Sequence, residues 1–132
     1  MPAYDAILFD PPAPLASVAL RNPENRALLT DVPMLLDTGA DVTLIPQALI
    51  DQLGIAVEPD TRYELMGFDG TVSLAPVVQL ELIFLNRTFR GRFLLIGQEW
   101  GILGRDILNH VFLLLDGPGL VWNEPRPPGE RG

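Results

Sequence analysis

Met34-Leu35-Leu36-Asp37-Thr38-Gly39-Ala40-Asp41-Val42-Thr43-Leu44-Ile45-Pro46 runs from an apolar segment into a carboxylate and out into a second apolar segment. Desolvating a carboxylate is expensive, so an aspartate at the end of a buried strand needs polar partners. Thr38 and Gly39 can supply them. A glycine permits a tight turn and brings its own N–H close to Asp37, and the threonine hydroxyl offers another buried hydrogen bond. Taken alone, Asp-Thr-Gly reads more simply as an Asx-turn that ends a strand.

Upstream, Leu15 to Arg21 has strand character and Asn22-Pro23-Glu24-Asn25 is a turn. Arg26 to Asp31 and Met34 to Leu36 then form the arm that delivers Asp37. Tyr4 to Phe9 is expected to be a further strand, stopped by Asp10-Pro11-Pro12-Ala13-Pro14. Downstream, Pro46 to Gly54 reads as a short helix, with Leu49, Ile50 and Leu53 on one face and Gly54 as its stop. Thr61 to Met66 and Thr71 to Ala75 flank Gly67-Phe68-Asp69-Gly70, where Asp-Gly suits the positive φ of a hairpin turn. Val78 to Phe84 alternates in polarity. Asn86-Arg87 is a turn, and Thr88 to Ile96 is the next strand. Gly101-Ile102-Leu103-Gly104 precedes a short helical stretch, Arg105 to His110. Val111 to Leu115 and Leu120 to Trp122 form a terminal apolar hairpin around Asp116-Gly117-Pro118-Gly119. Short apolar segments punctuated by 12 glycines and 13 prolines describe a mainly β domain.

The chain has 132 residues, 48% of them hydrophobic, which suits one domain with its own core. Residues 15–122 make up that domain. Residues 1–14 are an N-terminal extension or extra strand, and 123–132 a flexible tail. Cysteine is absent and His110 is the one histidine, so thiol chemistry and the usual zinc sites are excluded and no metal or cofactor is expected. A net charge of −8 repels phosphate backbones, so nucleic acid is not an expected partner. No apolar run is long enough for a membrane span, and the first residues lack the pattern of a secretion signal, which leaves a cytoplasmic location as the default.

The segment Leu35 to Pro46 resembles the active-site segment of retropepsin-like aspartic proteases. Gly101 to Leu108 is similar to that family's second signature: two apolar residues and a glycine, then Arg105 and a short helix. Gly67 to Gly70 lies where the family places its flap hairpin. The resemblance covers Leu15 to Trp122 and implies a half-barrel with one or two short helices, closed by homodimerisation. The Pro46–Gly54 helix is more like bacterial or cellular members than compact viral ones.

The resemblance also implies roles. Asp37 is the catalytic carboxylate. Thr38 bonds across a dimer and Ala40 supports the site. Gly39 and Asp41 bind substrate backbone, together with Gly67, Phe68, Asp69 and Gly70. Asp41 pairs with Arg105, either as an ordinary ion pair or as part of the site. Asp106 stands where viral members often carry asparagine. One Asp-Thr-Gly per chain and no Asp-Ser-Gly means that the second carboxylate must come from another copy. Two carboxylates about 3 Å apart repel by roughly 5 kcal/mol at an effective dielectric of ~20. The pair should therefore share one proton over a broad pH range. The expected activity is peptide-bond hydrolysis, and the alternative is a non-catalytic module that uses the same fold for dimerisation or peptide binding. For the terminal hairpin, plain core and strand pairing with a partner chain both remain open, with Trp122 as a candidate anchor.

Overall fold

Short strands joined by turns make up most of the chain, and the computed structural model describes residues 2–59, 61–66 and 69–125. The elements in chain order are β1 (Tyr4–Asp5), β2 (Ala13–Arg21), β3 (Leu28–Leu36), β4 (Leu44–Pro46), α1 (Gln47–Leu53), β5 (Arg62–Met66), β6 (Val72–Phe84), β7 (Arg87–Ile96), β8 (Gly101–Leu103), α2 (Arg105–Leu108), β9 (Leu114–Asp116) and β10 (Val121–Asn123). The domain is mainly β with two short helices, as the sequence implies.

Eight strands form one sheet in the order β1-β2-β3-β8-β4-β7-β6-β5. β2 also pairs with β6 through Ala19↔Ile83, Leu20↔Leu82 and Arg21↔Glu81, so the sheet curls back on itself. β8 lies between β3 and β4, parallel to the first and antiparallel to the second. This insertion brings Leu36, which precedes Asp37, level with Leu103, which precedes Gly104 and α2.

Strand alternation sorts side chains into two apolar layers. The larger holds Leu20, Met34, Ile45, Leu80, Leu82, Phe84, Leu95, Leu103, Ile107 and Trp122, all fully or almost fully buried. The smaller, on the opposite face, holds Leu44, Ala75, Val77 and Leu94, with Val42, Leu65, Ile96 and Ile102 packed against it. α1 closes the larger layer with Ile50 and Leu53 and ends at Gly54, whose φ of 68° gives a left-handed cap. Pro46 closes β4 and caps α1 rather than opening the helix.

Several boundaries differ from expectation for local reasons. The first strand keeps only Tyr4 and Asp5, because Asp5 Oδ1 accepts the N–H groups of Ile7 (2.9 Å) and Leu8 (2.7 Å) and turns the chain. Thr71–Ala75 and Val78–Phe84 are not separate strands. Val72 to Phe84 is continuous and changes partners at Pro76, pairing with β5 up to Arg62↔Pro76 and with β7 from Val77↔Leu94. A residue with no N–H to donate sits where the ladder is handed over. Trp122 does not serve as an anchor for a partner. It is 2% exposed, packs against Phe84 and donates its indole N–H to Leu15 O at 3.1 Å. The rest of the terminal hairpin differs, since Phe112, Leu114, Leu115 and Leu120 are exposed.

Candidate active site

Asp37 continues the pairing of β3 with β8, its N–H donating to Leu103 O at 3.1 Å. The chain then turns sharply. Gly39 N–H donates to Asp37 Oδ1 at 2.9 Å, and Ala40 N–H donates to Asp37 O at 3.2 Å. A Cβ on Gly39 would stand 3.1 Å from that same carboxylate oxygen, so a side chain there would push the carboxylate aside. Asp37 is half-buried, whereas Thr38 and Gly39 project from the surface.

α2 holds the turn from below. Arg105 N–H donates to Ala40 O at 2.8 Å, and the Arg105 guanidinium donates to Thr38 O at 2.5 Å. A Cβ on Gly104 would fall 2.5 Å from Val42 O and 2.9 Å from Ala40 O, a backbone approach that only glycine permits. The expected Asp41–Arg105 ion pair is not formed among the described residues. The Thr38 carbonyl claims the guanidinium, and Asp41 remains exposed on the cleft side.

One part of the support was not foreseen. Thr43 is 1% exposed, and Asp106 grips it twice, through Thr43 N–H to Oδ2 at 3.0 Å and Thr43 Oγ1–H to Oδ1 at 2.6 Å. Thr43 Oγ1 in turn accepts Gly104 N–H at 3.1 Å. The signal was a hydroxyl inside the apolar run Val42-Thr43-Leu44-Ile45, which burial obliges to find a partner. Asp106, whose role the sequence left open, is that partner.

A cleft of about 460 Å³ opens over the turn, lined by Asp37, Gly39, Ala40, Asp41, Val42, Leu44 and Ile96 on one side. Leu65, Met66 and Ser73 of the β5–β6 hairpin line the other. Gly67 and Phe68 lie outside the described residues. Asp69 and Gly70 form the hairpin turn, where Asp69 Oδ1 accepts Thr71 N–H at 2.9 Å and Gly70 takes a φ of 83°. The Thr71 N–H holds the Asp69 carboxyl below its usual range. Neither Asp69 nor Gly70 lines the cleft, whose hairpin side is built from the strands below the tip. Trp100 stacks edge-on against Phe9, 5.1 Å between centroids, and is not a wall of this cleft. His110 follows α2, exposed, with its ring 6.1 Å from Phe89. No group of acidic and histidine side chains suited to a metal ion is found among the described residues.

Residues 30–110 match the family model described as "gag-polyprotein putative aspartyl protease". The chain belongs to this retropepsin-like aspartyl protease family. The matched span takes in the Asp37 turn, the β5–β6 hairpin and α2. Among solved structures, the aspartyl protease domain is similar to EIAV protease complexed with the inhibitor HBY-793. That match has 25% identity and a TM-score of 0.55, covering 74% of this chain and 86% of the other. No curated protein sequence matches the chain significantly. No helix among the described residues is long and apolar enough to cross a membrane.

Proposed function

We propose that this aspartyl protease domain works as a homodimer, an endopeptidase in which the Asp37 carboxylates of two copies share one water and one proton. The observation that carries this reading is the Asp37 turn itself. A half-buried carboxylate is held by Gly39 N–H, braced from α2 by Arg105, and opens onto a cleft beneath a hairpin. One such carboxylate cannot be both base and acid in a single step.

With two copies, the ionised carboxylate takes a proton from water as the water oxygen attacks the scissile carbonyl carbon. The protonated carboxyl gives its proton to the carbonyl oxygen, yielding a neutral tetrahedral diol. Collapse returns the hydroxyl proton to a carboxylate, breaks the C–N bond and leaves a carboxylic acid and an amine, the nitrogen taking the remaining proton. Thr38 bonds to the partner's turn in this reading, which its exposure at the rim of the turn supports. Gly39 and Asp41 offer backbone and carboxylate groups to the substrate chain along the cleft.

The terminal hairpin supplies a surface for pairing. Among the described residues β9 pairs only with β10, which leaves one β9 edge open beside exposed Phe112, Leu114 and Leu115. An open apolar edge favours strand addition. The test is peptide-library profiling from pH 3 to 7 with Asp37→Asn as control. Cleavage by wild type and none by the variant is expected. No cleavage by a protein that sediments as a dimer would remove the enzyme reading and leave a binding module.

A further inference from the structure

The floor of the cleft does not end at the cleft. β4 and β7 run side by side and parallel, with Leu44↔Leu94, Ile45↔Leu95 and Pro46↔Ile96 in register. Strand alternation places Leu44, Pro46, Leu94 and Ile96 on one face and sends Ile45 and Leu95 into the main core. Leu44 and Ile96 line the cleft over Asp37. Ile96 and Pro46 line a second cavity of about 470 Å³, walled by Ala48 and Leu49 of α1 and by Gly97, Gln98 and Glu99. Ile96 is therefore common to both spaces, which adjoin along the β4–β7 face.

The second cavity has its own chemistry. Its walls are mainly aliphatic and no lysine or arginine lines it. The acid on its rim is Glu99, which is exposed and has no ion-pair partner among the described residues. Gln98 is committed elsewhere, its side-chain N–H donating to Trp100 O at 3.1 Å. A long aliphatic stem with a cationic head fits such a site, the stem against Pro46, Leu49 and Ile96 and the head at Glu99.

We propose that this cavity is a distal recognition pocket for the polypeptide substrate, taking a lysine or arginine side chain remote from the scissile bond. The inference rests on the peptidase reading of the Asp37 cleft and adds a substrate class to it. Glu99 is a specificity residue here and takes no part in bond cleavage.

The experiment scans a single lysine, and separately a single glutamate, along a ten-residue peptide of otherwise uncharged composition. Binding is measured to Asp37→Asn protein with and without Glu99→Lys, and cleavage to wild type with and without Glu99→Lys. At one distal position lysine should bind more tightly than glutamate by about threefold to fivefold, the scale of a rim charge pair. Glu99→Lys should reverse that preference at that position alone. Ala48→Phe, which fills the cavity from an exposed helix position, should erase it while peptides too short to reach the pocket are processed as before. Equal lysine-to-glutamate ratios in wild type and Glu99→Lys at every position would overturn the proposal even if cleavage is robust. A position-specific lysine preference lost in Glu99→Lys, without cleavage by wild type, would uphold the pocket and sink the peptidase reading. Absence of both binding and cleavage would sink both.

Discussion

Asp37, Ala40 and Asp106 carry different parts of the site, and substitutions separate them. Asp37→Asn keeps an acceptor for Gly39 N–H but cannot take or give the proton, so peptide cleavage should fall by about a thousandfold or more with little change in melting temperature. Ala40 lines the cleft with Asp37, and its side chain has no group to donate. A serine there could hydrogen-bond to the carboxylates of the proposed pair and favour their charged form. Ala40→Ser should move the acidic limb of the pH–rate profile to lower pH, and an unmoved limb would refute this role. Asp106→Ala leaves the buried Thr43 N–H and hydroxyl without their acceptor and should cost about 1–3 kcal/mol in denaturant unfolding. Asp106→Asn should cost less, because its amide oxygen still accepts Thr43 N–H while only the hydroxyl proton loses its partner.

The same logic applies to the junction of β3, β8 and α2. Gly104 lets α2 start against the carbonyls of Ala40 and Val42, and Gly104→Ala must push the Asp37 turn away. Overpacking of this kind costs about 1–3 kcal/mol, and here it should lower activity by more than the stability loss explains. Much of this junction was legible in the chain, since Asp37-Thr38-Gly39 and Gly101 to Leu108 each carry a local signature. What was not legible depended on contacts far apart in sequence. Arg105 is expected from the sequence to pair with Asp41, and only the fold shows that the Thr38 carbonyl takes its guanidinium. Trp122 sat near the chain's end and looked like an anchor, but β10 carries it back beneath Leu15. The early end of β1 was set by the Asp5 side chain competing for backbone N–H groups, a choice that alternation of polarity does not encode.

Acid stability and assembly are properties of the entire fold. Glu81, 1% exposed on β6, bridges Arg21 and Arg90 across three strands. The Arg21 hydrogen bond first, and Arg90 next, hold its carboxyl below the usual range. A lowered folded-state value means that this stabilisation is present above the unfolded value and is lost as pH falls below the ordinary carboxylate range and through the folded one. Wild type should therefore lose melting temperature steeply in that range, while Glu81→Gln should start lower and respond less to acid. At the open edge of β9, Leu115→Lys should shift sedimentation toward monomer and abolish cleavage with little loss in monomer stability, because Leu115 is 53% exposed. A mixing titration decides whether one site is made from two chains. Wild-type and Asp37→Asn proteins are combined at constant total concentration, allowed to exchange subunits, and assayed for peptide cleavage. With an equal mixture, activity should fall to about a quarter of the pure wild-type value, because both Asp37 residues of a two-fold site must be intact. A fall to only about half would mean that each chain acts alone, contradicting the shared site.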